Sequence, residues 1–296
     1  MDHVLLRQLY IEYKPLLFSV AYQMTGSVAD TEDIIQDVFA KLSSQDVKHQ
    51  QNMKGYLCKI VTNRCLDLMK SAKKKMEVYV GTWLPEPLIT KGDPLEEIIL
   101  EDEVSFALLV LFEKLNPMER AIFILREVLE YDYKEIAEIV QRKEANCRKI
   151  LSRIQDKFPE LEEEITLSKN HDKDEEAIRF FHTALHKGEV NQVIELLHND
   201  IVYYADGGGK RNAAIRPVYG KERVWKLLSS LAERFLNGKK EYQLILRKIN
   251  GQMGILIQDS SGLQGVVNFH IKQGKIQEIY YVANPDKLIG LCKDSI

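Results

Sequence analysis

Residues 132–158 read DYKEIAEIVQRKEANCRKILSRIQDKF. Apolar side chains recur there at steps of three and four: Ile136, Ala137 and Val140 first, then Cys147, Leu151, Ile154 and Phe158. That spacing gives each set one face of a short helix, with a sharp turn between the two helices. Glu144, Asn146, Arg148, Lys149, Ser152 and Arg153 fall on the outer face of the second helix. Asn and Arg near a helix N-terminus suit the major groove, where Asn pairs with adenine and Arg with guanine. A plain helical hairpin with a solvated face fits the same pattern. Two local features favour that plainer reading: Gln141 stands where such turns often carry glycine, and Lys143 is a weak N-cap. The charge balance sharpens the question. With 41 Lys and Arg against 44 Asp and Glu, the net charge is −3 and the pI near 6.2, a poor endowment for a protein that must hold DNA unaided.

The chain has 296 residues, 45% apolar and 29% charged, enough for two or three soluble domains. No run approaches the roughly 18 apolar residues of a membrane span, and the start MDHVLLRQLY lacks the form of a signal peptide. Cys58, Cys65, Cys147 and Cys292 form no CxxC pair. Cys58 and Cys65, seven apart on one helix, read as core packing. The expectation is a reduced cytoplasmic protein with no membrane association, no metal and no cofactor.

Pattern divides the chain into an all-α part and an α+β part. Residues 1–77 are helical throughout. Residues 78–94, VYVGTWLPEPLITKGDP, hold three prolines and two glycines and mark a linker. Residues 95–165 are helical again, and Glu160–Asp174 is a charged connector or exposed helix. Residues 170–296 give two or three helices and then strands near 242–249, 253–258, 264–271 and 275–282. Turn signals stand at Asn250-Gly251, Ser261-Gly262 and Gln273-Gly274.

Two N-terminal segments carry segregated charge. In GSVADTEDIIQDVFAKL (26–42), Ser27 and Asp30 form a capping-box-like start. Ile35, Val38, Phe39 and Leu42 take one side, and Asp33, Gln36, Asp37 and Lys41 the other. So acidic a face points to solvent or a basic protein partner. In NMKGYLCKIVTNRCLDLMKSAKKK (52–75), Leu57, Ile60, Val61, Cys65 and Leu68 form the buried stripe. Tyr56, Lys59, Asn63, Asp67 and Lys70 share a polar stripe that runs into Lys73–Lys75. Cations, an aromatic and an amide on one helix suit partly melted nucleic acid, where stacking contributes about 1–3 kcal/mol per base. A solvated basic face is the alternative.

The ordered set AYQMTGSVADTEDIIQDVF, KGYLCKIVTNRCLDLMKSAKKK and the helix-turn-helix resembles the two modules of extracytoplasmic-function RNA polymerase sigma factors, over residues 10–158. The resemblance implies that Asp30, Asp33, Gln36 and Asp37 dock on the β′ clamp helices of core RNA polymerase. It implies −10 element recognition by Tyr56, Lys59, Asn63, Arg64, Lys70 and Lys73, on residues 1–77. It implies −35 element recognition by Glu144, Asn146, Arg148, Lys149 and Arg153, in the module at the β flap. Core polymerase would then supply affinity and this chain selectivity, which reconciles a mildly acidic chain with a DNA-reading helix. Seventeen linker residues at roughly 3.3 Å each reach about 55 Å, more than the 34–36 Å of one duplex turn. Lysines at 70 and 73–75 stand where the family often has arginine, keeping charge but losing the planar fork.

WLPEP (83–87) resembles the subgroup of that family with a fused C-terminal domain, as do DGGGK (206–210) and NPDKL (284–288). Residues 170–296 resemble the SnoaL-like, NTF2-like cone, a curved sheet wrapped on helices around a pocket able to hold a small ligand. The subgroup implies a regulatory role in cis for Trp83, Pro85, Glu86, Asp206, Gly207, Gly208, Lys210, Asn284, Pro285 and Asp286, with NPDKL as a contact element to the linker or the DGGGK loop. The competing reading is a SnoaL-like enzyme or ligand-binding protein with a vestigial DNA-binding region. Asp206, His182, His270 and Tyr204 are its acid–base candidates.

Overall fold

The computed structural model describes residues 3–44, 50, 52–76, 79–89, 104–167, 172–237 and 241–292, so the linker ends at 78 and 90–94 lie outside the described residues. The chain forms two compact units, one drawing on residues 1–77, 92–104 and 108–166, the other on 78–91, 105–107 and 167–296. The WLPEP segment therefore belongs to the unit of the C-terminal domain.

The first unit is all helical. α1 (His3–Thr25), α2 (Val28–Ser43) and α3 (Met53–Met76) pack on one another. Ser27 caps α2 by accepting from the Asp30 amide at 3.2 Å. Ile34, Ile35, Val38, Phe39 and Leu42 are buried, as the helical spacing requires. On α3 the stripe is rotated slightly from expectation. Leu57, Cys58, Val61, Cys65 and Leu66 are buried, whereas Ile60 and Leu68 are half-buried. Burial raises the Cys58 thiol and pushes that of Cys65 up to about 12, which keeps both protonated as small core residues.

α4 (Phe106–Phe112) leads to α5 (Pro117–Phe123), which a capping box of Asn116 and Glu119 and a proline in the first turn fix in place. A π turn over Ile124–Val128 follows, then α6 (Tyr133–Val140), α7 (Glu144–Lys157) and α8 (Glu160–Leu167). Asp132 and Glu135 make a second capping box at α6. The turn that looked ill-suited forms nonetheless. Gln141 takes the left-handed conformation (φ 54°, ψ 49°), and Lys143 supplies no side-chain cap. The strain, about 1–2 kcal/mol for a residue with a Cβ, is smaller than the burial of Ile136, Ile139, Val140, Cys147, Leu151 and Ile154 contributes. Ile139, not Ala137, completes the inner face of α6, and Phe158 is only half-buried.

In the second unit, α9 (Asp172–Lys187) and α10 (Val190–Leu196) precede β1 (Leu197–Asp206), β2 (Val218–Tyr219) and α11 (Lys221–Asn237). β3 (Gln243–Ile249), β4 (Gln252–Asp259), β5 (Gly262–Lys272), β6 (Lys275–Val282) and α12 (Pro285–Cys292) follow. The sheet order is β2-β1-β6-β5-β4-β3, with β1 and β6 parallel and the other pairs antiparallel. Asn250-Gly251 and Gln273-Gly274 have positive φ at both positions, the type I′ geometry of two-residue hairpins. Alternation puts Tyr203, Phe269, Ile271 and Ile279 on the inner face, against Ile178 and Phe181 of α9 and Val224 of α11.

Candidate functional site

Asp206 ends β1 and is fully buried. A carboxylate there needs partners, and four converge on it. It accepts from the Tyr79 hydroxyl at 2.5 Å, the Leu84 amide at 3.0 Å, the Gly208 amide at 3.0 Å and the Lys287 ammonium at 2.7 Å. Lys287, 11% exposed on its side chain, also donates to the Leu84 carbonyl and lies 4.0 Å from the centre of the Trp83 ring. Asn284 donates to the Tyr79 oxygen at 2.9 Å and caps α12 by accepting from the Asp286 amide at 3.1 Å. Lys210 pairs with Asp286 at 2.6 Å. Burial, then the bond to Asp206, raises the Tyr79 phenol, so it remains a donor. The three short motifs thus meet around one buried ion pair.

The glycines allow this closeness. A Cβ on Gly207 would stand 2.4 Å from the Arg211 carbonyl oxygen, and Gly208, at φ +60°, would drive one to 2.4 Å from the Asn284 side chain. Farther along the linker, Leu84, Pro85, Glu86 and Pro87 are buried. Leu88 and Asn250 exchange hydrogen bonds at 2.8 and 3.1 Å, and Ile89 bridges to Ile249. Residues 79–89 thus lie along the cone, ending in a single bridge at the β3 edge. Tyr79 and Lys287, absent from the residues singled out by sequence, are central. Tyr79 carried no signal, whereas Lys287 stood inside NPDKL.

The helix faces are polar where the pattern put them. Asp30, Asp33, Gln36 and Asp37 are all exposed on α2. Asp37 pairs with Arg64 at 2.8 Å, both about half exposed, a contact worth under about 1 kcal/mol. Lys70 is exposed and pairs with Asp67; the side chain of Lys73 lies outside the described residues. Glu144, Asn146, Arg148, Lys149 and Arg153 are exposed on α7. Arg148 bonds Glu144 at 2.5 Å and lies 4.1 Å over the Tyr133 ring.

Tyr56, Lys59 and Asn63 differ: they are half-buried where α3 meets α6. Tyr56 and Lys59 share a cleft with Glu135, Glu138 and Ile139, and Asn63 donates to the Ile139 carbonyl at 3.3 Å. The Tyr131 hydroxyl donates to Cys58 Sγ at 3.2 Å beside them. Arg120 of α5, 3% exposed, pairs with Glu113 at 2.7 Å and donates to the Met24 carbonyl at the end of α1 at 2.8 Å. The two helical modules are docked, and no sequence motif announced it.

The acid–base candidates do not meet. The cone cavity, about 150 Å³, is lined by residues that include none of Asp206, His182, His270 and Tyr204. His182 Nε2 donates to the Leu244 carbonyl at 2.9 Å; His270 and Tyr204 face Glu278 on the opposite side of the sheet, at 3.2 and 3.5 Å. Among the described residues, no group of three or more His, Cys, Asp or Glu is placed to hold a metal, and no helix is long and apolar enough to cross a membrane.

Residues 9–75 match the Sigma-70 region 2 family and residues 105–154 the Sigma-70, region 4 family. The chain is 30% identical to the ECF RNA polymerase sigma factor SigJ of Mycobacterium tuberculosis, over 93% of this chain and 90% of that protein. It is 26% identical to Bacillus subtilis SigW, over 43% and 73% respectively. The crystal structure of M. tuberculosis SigJ superposes with a TM-score of 0.76 at 27% identity, covering 95% of this chain and 97% of that one. With both sigma-70 regions in order and a likeness that runs through the C-terminal α+β domain, this chain belongs to the extracytoplasmic-function RNA polymerase sigma factors, which direct promoter-specific transcription initiation.

Proposed function

We propose that residues 1–77 bind core RNA polymerase and the −10 element, residues 95–165 read the −35 element, and the domain at 170–296 modulates both in cis through the linker at 78–94. The buried Asp206–Lys287 pair, closed over Trp83 and Leu84, is the observation that carries the regulatory half. A free segment of eleven residues such as 79–89 could extend to about 36 Å, roughly one turn of duplex. Held on the cone, its span is fixed. A coupling of about 1–3 kcal/mol between latching and promoter engagement suffices for regulation. The site of action is the cytoplasm, where core polymerase works. The cavity wall, which holds none of the acid–base candidates, supports regulation over catalysis.

The acidic α2 face is the proposed docking surface for the β′ clamp helices, with the β flap serving the second module. Asp33→Lys or Asp37→Lys reverses an exposed charge there and is expected to weaken core binding about tenfold, which fluorescence anisotropy with labelled core measures. Unchanged affinity for both variants would remove α2 from the interface. At α7, the exposed Glu144–Arg148 pair contributes under about 1 kcal/mol, whereas a bidentate guanine contact contributes about 1–3 kcal/mol. Arg148 therefore swings to DNA. Arg148→Ala is expected to relax selectivity at one −35 position in a promoter-variant competition, and an even loss across all sequences would make Arg148 a phosphate contact instead.

Tyr56, Lys59 and Asn63 belong to the proposed −10 face and are covered by α6. Promoter opening on this reading requires the two modules to part, and core polymerase, by binding α2, provides the free energy.

A further inference from the structure

The cavity inside the cone, about 150 Å³, lies between the inner face of the sheet, α9 and α11. Most of its wall is hydrocarbon. Polar atoms come from His186, Tyr203, Tyr242 and Tyr281, and among the described residues no carboxylate, lysine or arginine lines it. An ion entering it would lose hydration without meeting a carboxylate, lysine or arginine among the described residues. An apolar cavity of about 150 Å³ has room for a benzene-sized guest. Burial raises the phenols of Tyr203 and Tyr281, so both stay uncharged.

We propose that this cavity binds one uncharged molecule of about single-ring size, apolar over most of its surface and carrying one hydroxyl or carbonyl for the tyrosine and histidine groups at the wall. This is independent of the sigma-factor reading, because occupancy needs neither polymerase nor DNA. It also differs from catalysis in the same cone, for which the described residues of the wall supply no carboxylate.

The probes are p-cresol and 4-methylbenzoate, which share a methylated ring and differ in charge. Isothermal titration of the full chain is expected to give saturable one-to-one binding of p-cresol, with 4-methylbenzoate at least tenfold weaker. Ala232, half-buried at the cavity on α11, is replaced by phenylalanine to fill the space, and p-cresol binding then falls at least tenfold. A second readout needs no variant. In the wild-type chain, ring resonances of Tyr203, Tyr242 and Tyr281 shift with p-cresol while those of Tyr56 and Tyr133 do not. Absence of saturable p-cresol binding up to its solubility would overturn the proposal, as would equal affinity for the benzoate. So would p-cresol shifts confined to Tyr56 and Tyr133, or undiminished binding by a folded Ala232→Phe chain.

Discussion

Replacing Lys287 with methionine is expected to lower the unfolding free energy of the cone by about 3–5 kcal/mol. The size follows from what remains. Asp206 is fully buried, and without the ammonium 2.7 Å away its charge keeps, among the described residues, the Tyr79, Leu84 and Gly208 donors. The Leu84 carbonyl and the Trp83 ring lose their cation as well. Asp206→Asn leaves a buried ammonium instead and is also costly. The double variant removes both charges and should cost less than the sum of the singles by about 0.5–3 kcal/mol. Urea denaturation followed by tryptophan fluorescence reads this cleanly, because both tryptophans, Trp83 and Trp225, lie in the second unit. Additive effects would mean that the pair does not act as a unit.

Arg120→Met is expected to destabilise the helical unit by about 3 kcal/mol. The guanidinium is buried between Glu113 and the Met24 carbonyl, so its loss leaves an unpaired acceptor at the end of α1 and a carboxylate without its partner. Arg120→Lys keeps the charge and loses the fork, so it should cost roughly half as much. Far-UV circular dichroism during urea denaturation follows this unit, and an unchanged midpoint for Arg120→Met would show that the docking rests on apolar contacts alone.

Local pattern made the elements legible. The steps of three and four on α2 and α7 put their apolar residues on the buried face, and the Asn-Gly and Gln-Gly signals fell at the turns between strands. Short-range rules were less reliable where tertiary burial outweighs them. Gln141 adopts a glycine-like conformation because six apolar side chains on α6 and α7 are buried by it. The latch was half legible. DGGGK, WLPEP and NPDKL were each visible, but the pairing of Asp206 with Lys287, 81 residues apart, has no local signature. Docking of α3 on α6 through Asn63 and of α5 on α1 through Arg120 had none either. Arginine at 120 reads as a surface residue until its partners, 7 and 96 positions away, are known.

Run-off transcription with purified core polymerase, on a template carrying the gene's own upstream region, tests promoter direction and the latch together. The intact chain is compared with the Asp206→Asn/Lys287→Met chain. A transcript is expected only when the protein is added, with a yield that changes at least fivefold when the latch is broken, the effect of about 1 kcal/mol of coupling. Equal yields from the two chains would contradict regulation through the latch, and a chain that neither binds core nor yields a transcript would contradict promoter direction itself.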